Sequence, residues 1–325
     1  MKRRKFIALL GRAALARPLT AHAQQPTMPT IGFISSTSPP GFAFYLAAFR
    51  NGLKQVGYFE GWNVSVEYRW AEGHIDRVPA LATDLLNHKV AVIFADIRAA
   101  LAVKTATATI PIVFNGAGDP IKLGLVRSLD RPGGNVTGIS FPVSAIATKR
   151  LQMLRAMVPA AASIGYLCDP DDPLAESQTS EIETVANAFG LTLEVVNASG
   201  AADFERAFMA FVHNRVDAII VGTGLQFINS RDQIVALAAR QRIPAIYNLR
   251  PWVIAGGLMS YGPSLEEATR QGAIYVARIL KGASPADLPI VQSPKIELVI
   301  NLKTAKTLGL SVSRPLLLAA DELIE

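Results

Sequence analysis

Ile31-Gly32-Phe33 and Ile110-Pro111-Ile112-Val113-Phe114 each occur a second time in the chain, as Ile164-Gly165-Tyr166 and Ile243-Pro244-Ala245-Ile246-Tyr247. Both pairs have the same offset, 164 − 31 and 243 − 110, which is 133 residues. Another apolar run lies between the two phrases in each half, Val90–Phe94 and Val216–Val221. Short apolar runs of this kind are typical of buried strands. Because the period is too long for a solenoid repeat, the pattern predicts a duplicated domain.

Predicted strands and helices alternate along both halves, which is the pattern of a parallel α/β sheet. Strand Thr30–Ser35 precedes helix Phe42–Val56, and strand Ser163–Cys168 precedes helix Glu176–Phe189. We therefore predict an α/β fold with two Rossmann-like lobes. Parallel sheets bind ligands beyond the carboxyl ends of their strands, so the cleft between the lobes is the expected site.

The charge of the chain is concentrated at its beginning. The net charge is +6, but the first 23 residues hold six basic residues and no acidic one, which leaves 26 of each sign in the remainder. A nearly neutral remainder gives no support for a nucleic-acid-binding surface. No stretch reaches the roughly 18 apolar residues of a membrane helix. The single cysteine, Cys168, excludes an internal disulfide and is expected to be buried.

Residues 1–23 have the order of parts that is typical of an export signal. A basic segment precedes the apolar run Phe6–Leu10, and Ala21-His22-Ala23 forms a small-x-small cleavage site. Arg3-Arg4-Lys5-Phe6-Ile7 resembles a twin-arginine signal. The alternative is an unstructured basic tail. We expect export to the periplasm.

Several phrases of the chain resemble one family of known proteins. They are the signal ending in Ala-Gln-Gln, Ile110–Phe114, Gly118-Asp119-Pro120, Arg131–Asn135, Gly256–Pro263 and Leu298–Lys306. Together they resemble the exported substrate-binding proteins of ATP-binding-cassette (ABC) importers, in particular the tryptophan/tyrosine-type group, over essentially the whole chain. Asp96-Ile97-Arg98 and Gly222–Gln226 differ from the usual family sequence at the cleft, so the resemblance does not identify the ligand.

The resemblance implies a type I periplasmic binding fold with a three-segment hinge, no enzymatic activity and no cofactor. The Gly/Pro-rich segments near Phe141-Pro142, Tyr261-Gly262-Pro263 and Pro285–Pro294 are the hinge candidates. The expected lobes are residues 24–141 plus 262–290 and residues 142–261 plus 291–325. The expected ligand is an amino acid or related carboxylate, captured by hinge closure. The expected partner is an ABC permease in the inner membrane with its ATPase, and the protein itself is expected to be a monomer.

Polar and aromatic residues near the predicted strand ends are the candidates for ligand binding. They are Ser36, Thr37, Asp96, Arg98, Asn115, Asp119, Asp169, Thr223, Tyr247 and Tyr261. Ser36 and Thr37 either donate to a ligand carboxylate or cap the next helix. Arg98 either forms a bidentate contact with a carboxylate or pairs with Asp96.

For Asp119 and for the two tyrosines, two alternative interpretations also remain open. Asp119 either pairs with a ligand ammonium or forms an Asx turn before Pro120. Tyr247 and Tyr261 either stack on an aromatic or amide ligand or pack within their lobe.

Two other functions remain as alternatives at the level of the sequence. Gly222-x-Gly224-x-x-Phe227 approximates a dinucleotide-binding fingerprint, which would indicate an NAD(P)-binding, dehydrogenase-like enzyme. The third glycine of that fingerprint is replaced by Phe227, and Arg242 stands where an acidic residue is expected. An extracellular ligand sensor is the second alternative. The histidines are dispersed along the chain, so no metal site is expected.

Overall fold

The computed structural model describes residues 28–141, 146–292 and 295–325. The predicted export signal, the predicted hinge residue Pro142 and residues 293–294 of the third predicted hinge segment lie outside the described residues. The strands are β1 (Thr30–Ser35), β2 (Ser65–Trp70), β3 (Val92–Asp96), β4 (Ile112–Ala117), β5 (Val136–Phe141), β6 (Ser163–Cys168), β7 (Thr192–Asn197), β8 (Ala218–Val221), β9 (Ala245–Tyr247), β10 (Met259–Pro263), β11 (Val291–Gln292), β12 (Ile296–Asn301) and β13 (Glu322–Ile324).

The helices alternate with these strands. They are α1 (Pro39–Gln55), α2 (Val78–Asn87), α3 (Ile97–Ala106), α4 (Ile146–Met157), α5 (Ala175–Ala188), α6 (Ala201–His213), α7 (Leu225–Asn229), α8 (Arg231–Arg240), α9 (Arg250–Ile254), α10 (Leu265–Leu280), α11 (Leu302–Thr307) and α12 (Arg314–Ala319). Short 3-10 turns occur at Ile75–Arg77 and Pro285–Asp287. None of the helices within the described ranges is long and apolar enough to cross a membrane.

The strands form two separate sheets. The first has the order β11-β5-β4-β3-β1-β2, and its described pairings are all parallel. The second has the order β13-β12-β10-β9-β8-β6-β7 and contains one antiparallel pairing, between β10 and β12. Buried apolar clusters lie on both faces of each sheet. Helices therefore cover both faces, as the alternating sequence predicts.

The repeated phrases occupy equivalent places in the two sheets. β1 lies between β2 and β3, and β6 lies between β7 and β8. The shared glycine of the first phrase allows a helix to approach the strand closely. A Cβ on Gly165 would lie 2.7 Å from the ring of Phe211, and a Cβ on Gly32 would lie 3.1 Å from Leu85. The sequence repeat is therefore a repeat of helix-on-sheet packing.

The chain passes between the two sheets three times. β5 of the first sheet leads into α4, which packs on the second sheet. β10 leads into α10, which packs on α1 and on the first sheet. β11 pairs with β5, whereas the next strand, β12, belongs to the second sheet. The pairings place Gly262 and Pro263 in the second sheet, whereas the predicted boundary puts them in the first lobe. They place Val291 and Gln292 in the first sheet, whereas the predicted boundary puts them in the second lobe. Both boundaries therefore differ by two residues from the prediction.

Candidate functional site

A cavity of about 810 Å³ lies between the two sheets. Its volume falls in the range of about 300–1,000 Å³ that is usual for small-molecule sites. Residues that follow β1, β3 and β4 line one side, and residues that follow β6, β8 and β9 line the other. The cavity is therefore at the carboxyl ends of parallel strands from both sheets, where the sequence predicts it.

Asp96 fixes the loop after β1 through its carboxylate. One oxygen accepts a hydrogen bond from the backbone N–H of Ser36, and the other accepts from the N–H groups of Arg98 and Ala99, at 3.1 Å each. Asp96 is thus the N-cap of α3. It lines the cavity, but three protein donors already occupy its oxygens.

Ser36 and Thr37 also line the cavity and are both buried. The Thr37 hydroxyl is 3.0 Å from the hydroxyl of Ser35, so it has a partner. The Ser36 Oγ has no hydrogen-bond partner among the described residues. Neither side chain caps α1, whose N-cap residue is Ser38. Ser36 therefore has an unused hydroxyl at the cavity.

Arg98 reaches across the cleft. One of its guanidinium nitrogens lies 2.9 Å from the carboxylate of Asp172, which follows β6 and is only 3% exposed. Arg98 contacts Asp96 through its backbone N–H, whereas its charge pairs with Asp172. The pair connects the two sides of the cavity.

Asn115, near the end of β4, and Asp119, just after it, both line the cavity. The Asn115 amide donates to the hydroxyl of Thr269 on α10 at 2.9 Å. Asp119 is exposed, and one of its oxygens accepts from the backbone N–H groups of Ile121 and Lys122 at 2.9 and 3.2 Å. These bonds are those of the Asx turn that the sequence allows.

Thr223 is the one predicted residue of the second half that lines the cavity. Its hydroxyl accepts a hydrogen bond from Gln178 of α5 at 2.8 Å. Asp169 instead packs under Gly224, where burial raises the pKa of its carboxyl. Tyr261 packs against the apolar core of the second sheet. Asp169 and Tyr261 are therefore not among the lining residues.

Tyr247 does not line the cavity either. Its ring is buried and stacks on Trp252 of α9, with ring centroids 4.9 Å apart. Trp252 carries the aromatic surface that faces the cavity, together with Phe42, Tyr45 and Phe141. The sequence predicts Tyr247 as a lining residue, whereas Tyr247 lies behind Trp252. Trp252 was not recognised because its helix, α9, is too short to show a hydrophobic period.

Arg150 and Glu181 line the cavity without having been predicted, and Asn248, which the sequence places at the end of a strand of the second lobe, lines it as well. Each has a buried side-chain atom with no hydrogen-bond partner among the described residues: Arg150 Nη1, Glu181 Oε2 and Asn248 Oδ1. Arg150 is also deeply buried, and burial lowers the pKa of its guanidinium to about 10. With Ser36, four residues that line the cavity therefore each have a buried polar atom without a partner among the described residues.

The segment that resembled a dinucleotide fingerprint has another role. Gly222 and Gly224 lie between β8 and the five-residue helix α7. A Cβ on Gly224 would lie 2.3 Å from an oxygen of Asp169, so this glycine gives room to a buried carboxylate. The described residues contain no group of three or more His, Cys, Asp or Glu side chains that could hold a metal ion.

Comparison with known proteins identifies the family. Residues 31–324 match the family model described as ABC transporter substrate binding protein. This chain belongs to that family. A tyrosine-binding protein of Clostridioides difficile (strain R20291) is 25% identical over 281 residues, which are 86% of this chain and 81% of that protein. Substrate-binding proteins of this family are extracellular or periplasmic.

Solved structures of similar proteins have the same fold. The structure of an ABC domain in complex with L-Trp from Streptococcus pneumoniae matches with a TM-score of 0.80 and 25% identity, over 91% of this chain and 99% of that one. A conserved domain protein from Vibrio cholerae matches with a TM-score of 0.81 and 26% identity over the same shares. More distant solute-binding and periplasmic-binding proteins share the fold alone. The predicted type I periplasmic binding fold is confirmed.

Proposed function

We propose that this protein is the periplasmic solute-binding component of an ABC importer and that it captures an amino acid or related carboxylate by hinge closure. The observation that carries the proposal is the cavity, which residues of both lobes enclose and four of whose lining residues have a buried polar atom without a partner among the described residues. An unpaired buried polar group costs about 1–3 kcal/mol. A ligand that pairs with these atoms recovers that cost.

The aromatic lining favours a ligand with a flat or large apolar part. Phe42 and Tyr45 come from α1, Phe141 from β5 and Trp252 from α9. Aromatic rings stack on one another with ring centroids about 4.5–7 Å apart. The C. difficile relative is named a tyrosine-binding protein, and the S. pneumoniae structure contains L-Trp. Aromatic amino acids are therefore the first ligands to test.

The proposed lobes are those of the sequence, with the boundaries adjusted to the strand pairing. The three passages between the sheets serve as the hinge, and closure is stabilised by contacts that the ligand makes better in the closed form. The proposed partner is an inner-membrane permease with its ATPase, and the binding protein acts as a monomer. Residues 1–23 are proposed to direct export.

A ligand screen tests the proposal. The chain without residues 1–23 is melted with L-tyrosine, L-tryptophan, L-phenylalanine, L-leucine and small organic acids, and positive results are followed by calorimetry. Binding to the native state raises the melting temperature; a ligand at 100 times its Kd adds about 2.7 kcal/mol of stability. The D-enantiomer of each positive amino acid is the control. No shift with any compound at millimolar concentration, or sustained chemical turnover of one, contradicts the proposed function.

A further inference from the structure

Arg150 is the most unusual charged residue of the cavity. It lies on α4, its side chain lines the cavity, and only 4% of its surface is exposed. Its Nε donates to the backbone carbonyl of Tyr261 at 3.1 Å, which fixes the direction of the guanidinium. Its Nη1 is buried without a hydrogen-bond partner among the described residues.

A buried guanidinium without an anion is unfavourable. Burial lowers the pKa of Arg150 to about 10, which still leaves it charged at pH 7. Buried charges in proteins are normally paired or bound to a ligand. The remainder of α4 that faces inward is apolar, with Leu151, Leu154 and Met157. An apolar residue at position 150 would suit packing better, so packing alone does not account for the arginine.

The other charged arginines of the cavity already have partners. Arg98 pairs with Asp172 at 2.9 Å, and Arg231 pairs with Asp232 at 2.9 Å. Among the lining arginines in the described ranges, Arg150 is the one with a buried, unpaired nitrogen. Arg150 is therefore the buried lining cation without an ion-pair partner in the described ranges, whereas the lining lysine, Lys122, is exposed to solvent.

Glu181 of α5 supplies a group of the opposite sign on the same side of the cavity. Its helix packs against α4, which carries Arg150, and burial lowers the pKa of Arg150 while the charge of Glu181 partly offsets that effect. No ion pair within the described residues joins them, and Glu181 Oε2 is buried without a partner there. Neighbouring cationic and anionic groups that are both unpaired match the zwitterionic head of an α-amino acid.

We propose that Arg150 and Glu181 form the head-group site of the cavity, in which the Arg150 guanidinium donates to the ligand carboxylate and the Glu181 carboxylate accepts from the ligand ammonium. This inference rests on the proposed function. Both residues belong to elements that pack on the second sheet, so one lobe recognises the head group by itself. The aromatic surface of both lobes then contacts the side chain of the ligand.

The test compares three compounds that differ only in the head group: L-tryptophan, tryptamine, which lacks the carboxylate, and indole-3-propionate, which lacks the ammonium. If the screen identifies a different amino acid, its corresponding amine and acid are used. Calorimetry on the wild-type protein is expected to show at least about 100-fold weaker binding of each truncated compound. Equal binding of the amino acid and its amine by the wild type overturns the role of Arg150.

Two variants assign the contacts. Arg150→Met is expected to weaken amino-acid binding about 100-fold and to bind the amino acid and its amine equally, while it still rejects the acid. Glu181→Gln is expected to bind the amino acid and its acid equally, while it still rejects the amine. Arg155→Met, on the exposed face of the same helix, is the control and keeps the wild-type pattern. Retained discrimination between amino acid and amine in Arg150→Met overturns the inference.

The design separates this inference from the proposed function. A wild-type protein that binds no compound in the screen contradicts the proposed function. A wild-type protein that binds an amino acid but ignores its carboxylate contradicts only the head-group site. If Arg150→Met does not fold, as judged by its melting curve, Arg150→Lys takes its place, and the three-compound comparison on the wild type decides the question without any variant.

Discussion

Asp96 and Ser36 lie side by side at the cavity, and their hydrogen bonds give them different roles. Asp96 has both carboxylate oxygens engaged by backbone N–H groups, whereas the Ser36 hydroxyl has no partner among the described residues. A ligand group gains little from a carboxylate that three donors already share. We therefore interpret Asp96 as the residue that holds the Ser36 loop in place.

The substitution Asp96→Ala tests this interpretation. It removes the N-cap of α3 and the acceptor for the Ser36 N–H, so the free energy of unfolding should fall by about 1–3 kcal/mol. Ligand affinity should fall as well, because the Ser36 loop loses its anchor. Denaturant unfolding and calorimetry measure the two effects. Asp203→Ala on α6, which removes an acceptor for the N–H of Ser199 just before that helix, is the control. It should reduce stability without changing affinity, and Asp96→Ala with unchanged stability contradicts the interpretation.

The sequence predicts the candidate site well where strands define it and poorly where helices do. Seven of the ten predicted residues line the cavity, because the carboxyl ends of parallel strands meet at one edge. Arg150 and Glu181 were missed because a charged residue within a helix is normally assigned to the solvent-exposed face. Tyr247 was misplaced because Trp252 stacks between it and the cavity. Tertiary contacts of this kind leave no local signal in the sequence.

At the level of elements, the two internal repeats predict the central strands correctly, and the short elements are missed. The segment between β8 and β9 holds two helices, the short α7 and then α8. The elements α9, α12, β11 and β13 were not predicted; they contain two to six residues, too few to establish a period. Of these, α9 matters most for function, since it supplies Trp252.

The strand β10 is the element on which the second passage between the sheets depends. Gly262 lies in β10, and a Cβ at this position would lie 1.9 Å from the backbone carbonyl oxygen of Asn248. Gly262→Ala must therefore move the β10 backbone away from the end of β9, next to a cavity residue. We expect a loss of about 1–3 kcal/mol in unfolding free energy, as for overpacking in a core. Gly134→Ala, with no atom within 4 Å of the added Cβ, is the control for thermal melting. Equal melting temperatures for the two variants would show that β10 tolerates the shift.

At the scale of the whole molecule, direct contacts join the two lobes across the cavity in the described structure. Arg98 pairs with Asp172, and the Ser38 hydroxyl donates to Asn229 at 3.1 Å. The guanidinium of Arg250 lies 5.1 Å from the ring centroid of Phe44. Each contact has one partner on each side, so opening the cleft breaks all of them. In the hinge closure that we propose, they stabilise the closed form in addition to whatever the ligand contributes.

The Arg98–Asp172 pair is the contact among these that joins opposite charges, and its carboxylate is almost completely buried. Arg98→Gln leaves the Asp172 carboxylate buried without its cation in the closed form, whereas opening of the cleft exposes it to water. The equilibrium therefore moves toward the open form, and ligand affinity should fall about tenfold, or about 1.4 kcal/mol. Small-angle X-ray scattering should show a larger radius of gyration for the ligand-free variant than for the wild type. Arg206→Gln removes an ion pair with Asp203 that lies within one helix, so neither quantity should change. If Arg98→Gln keeps both the affinity and the radius of the wild type, the contacts across the cavity do not control closure.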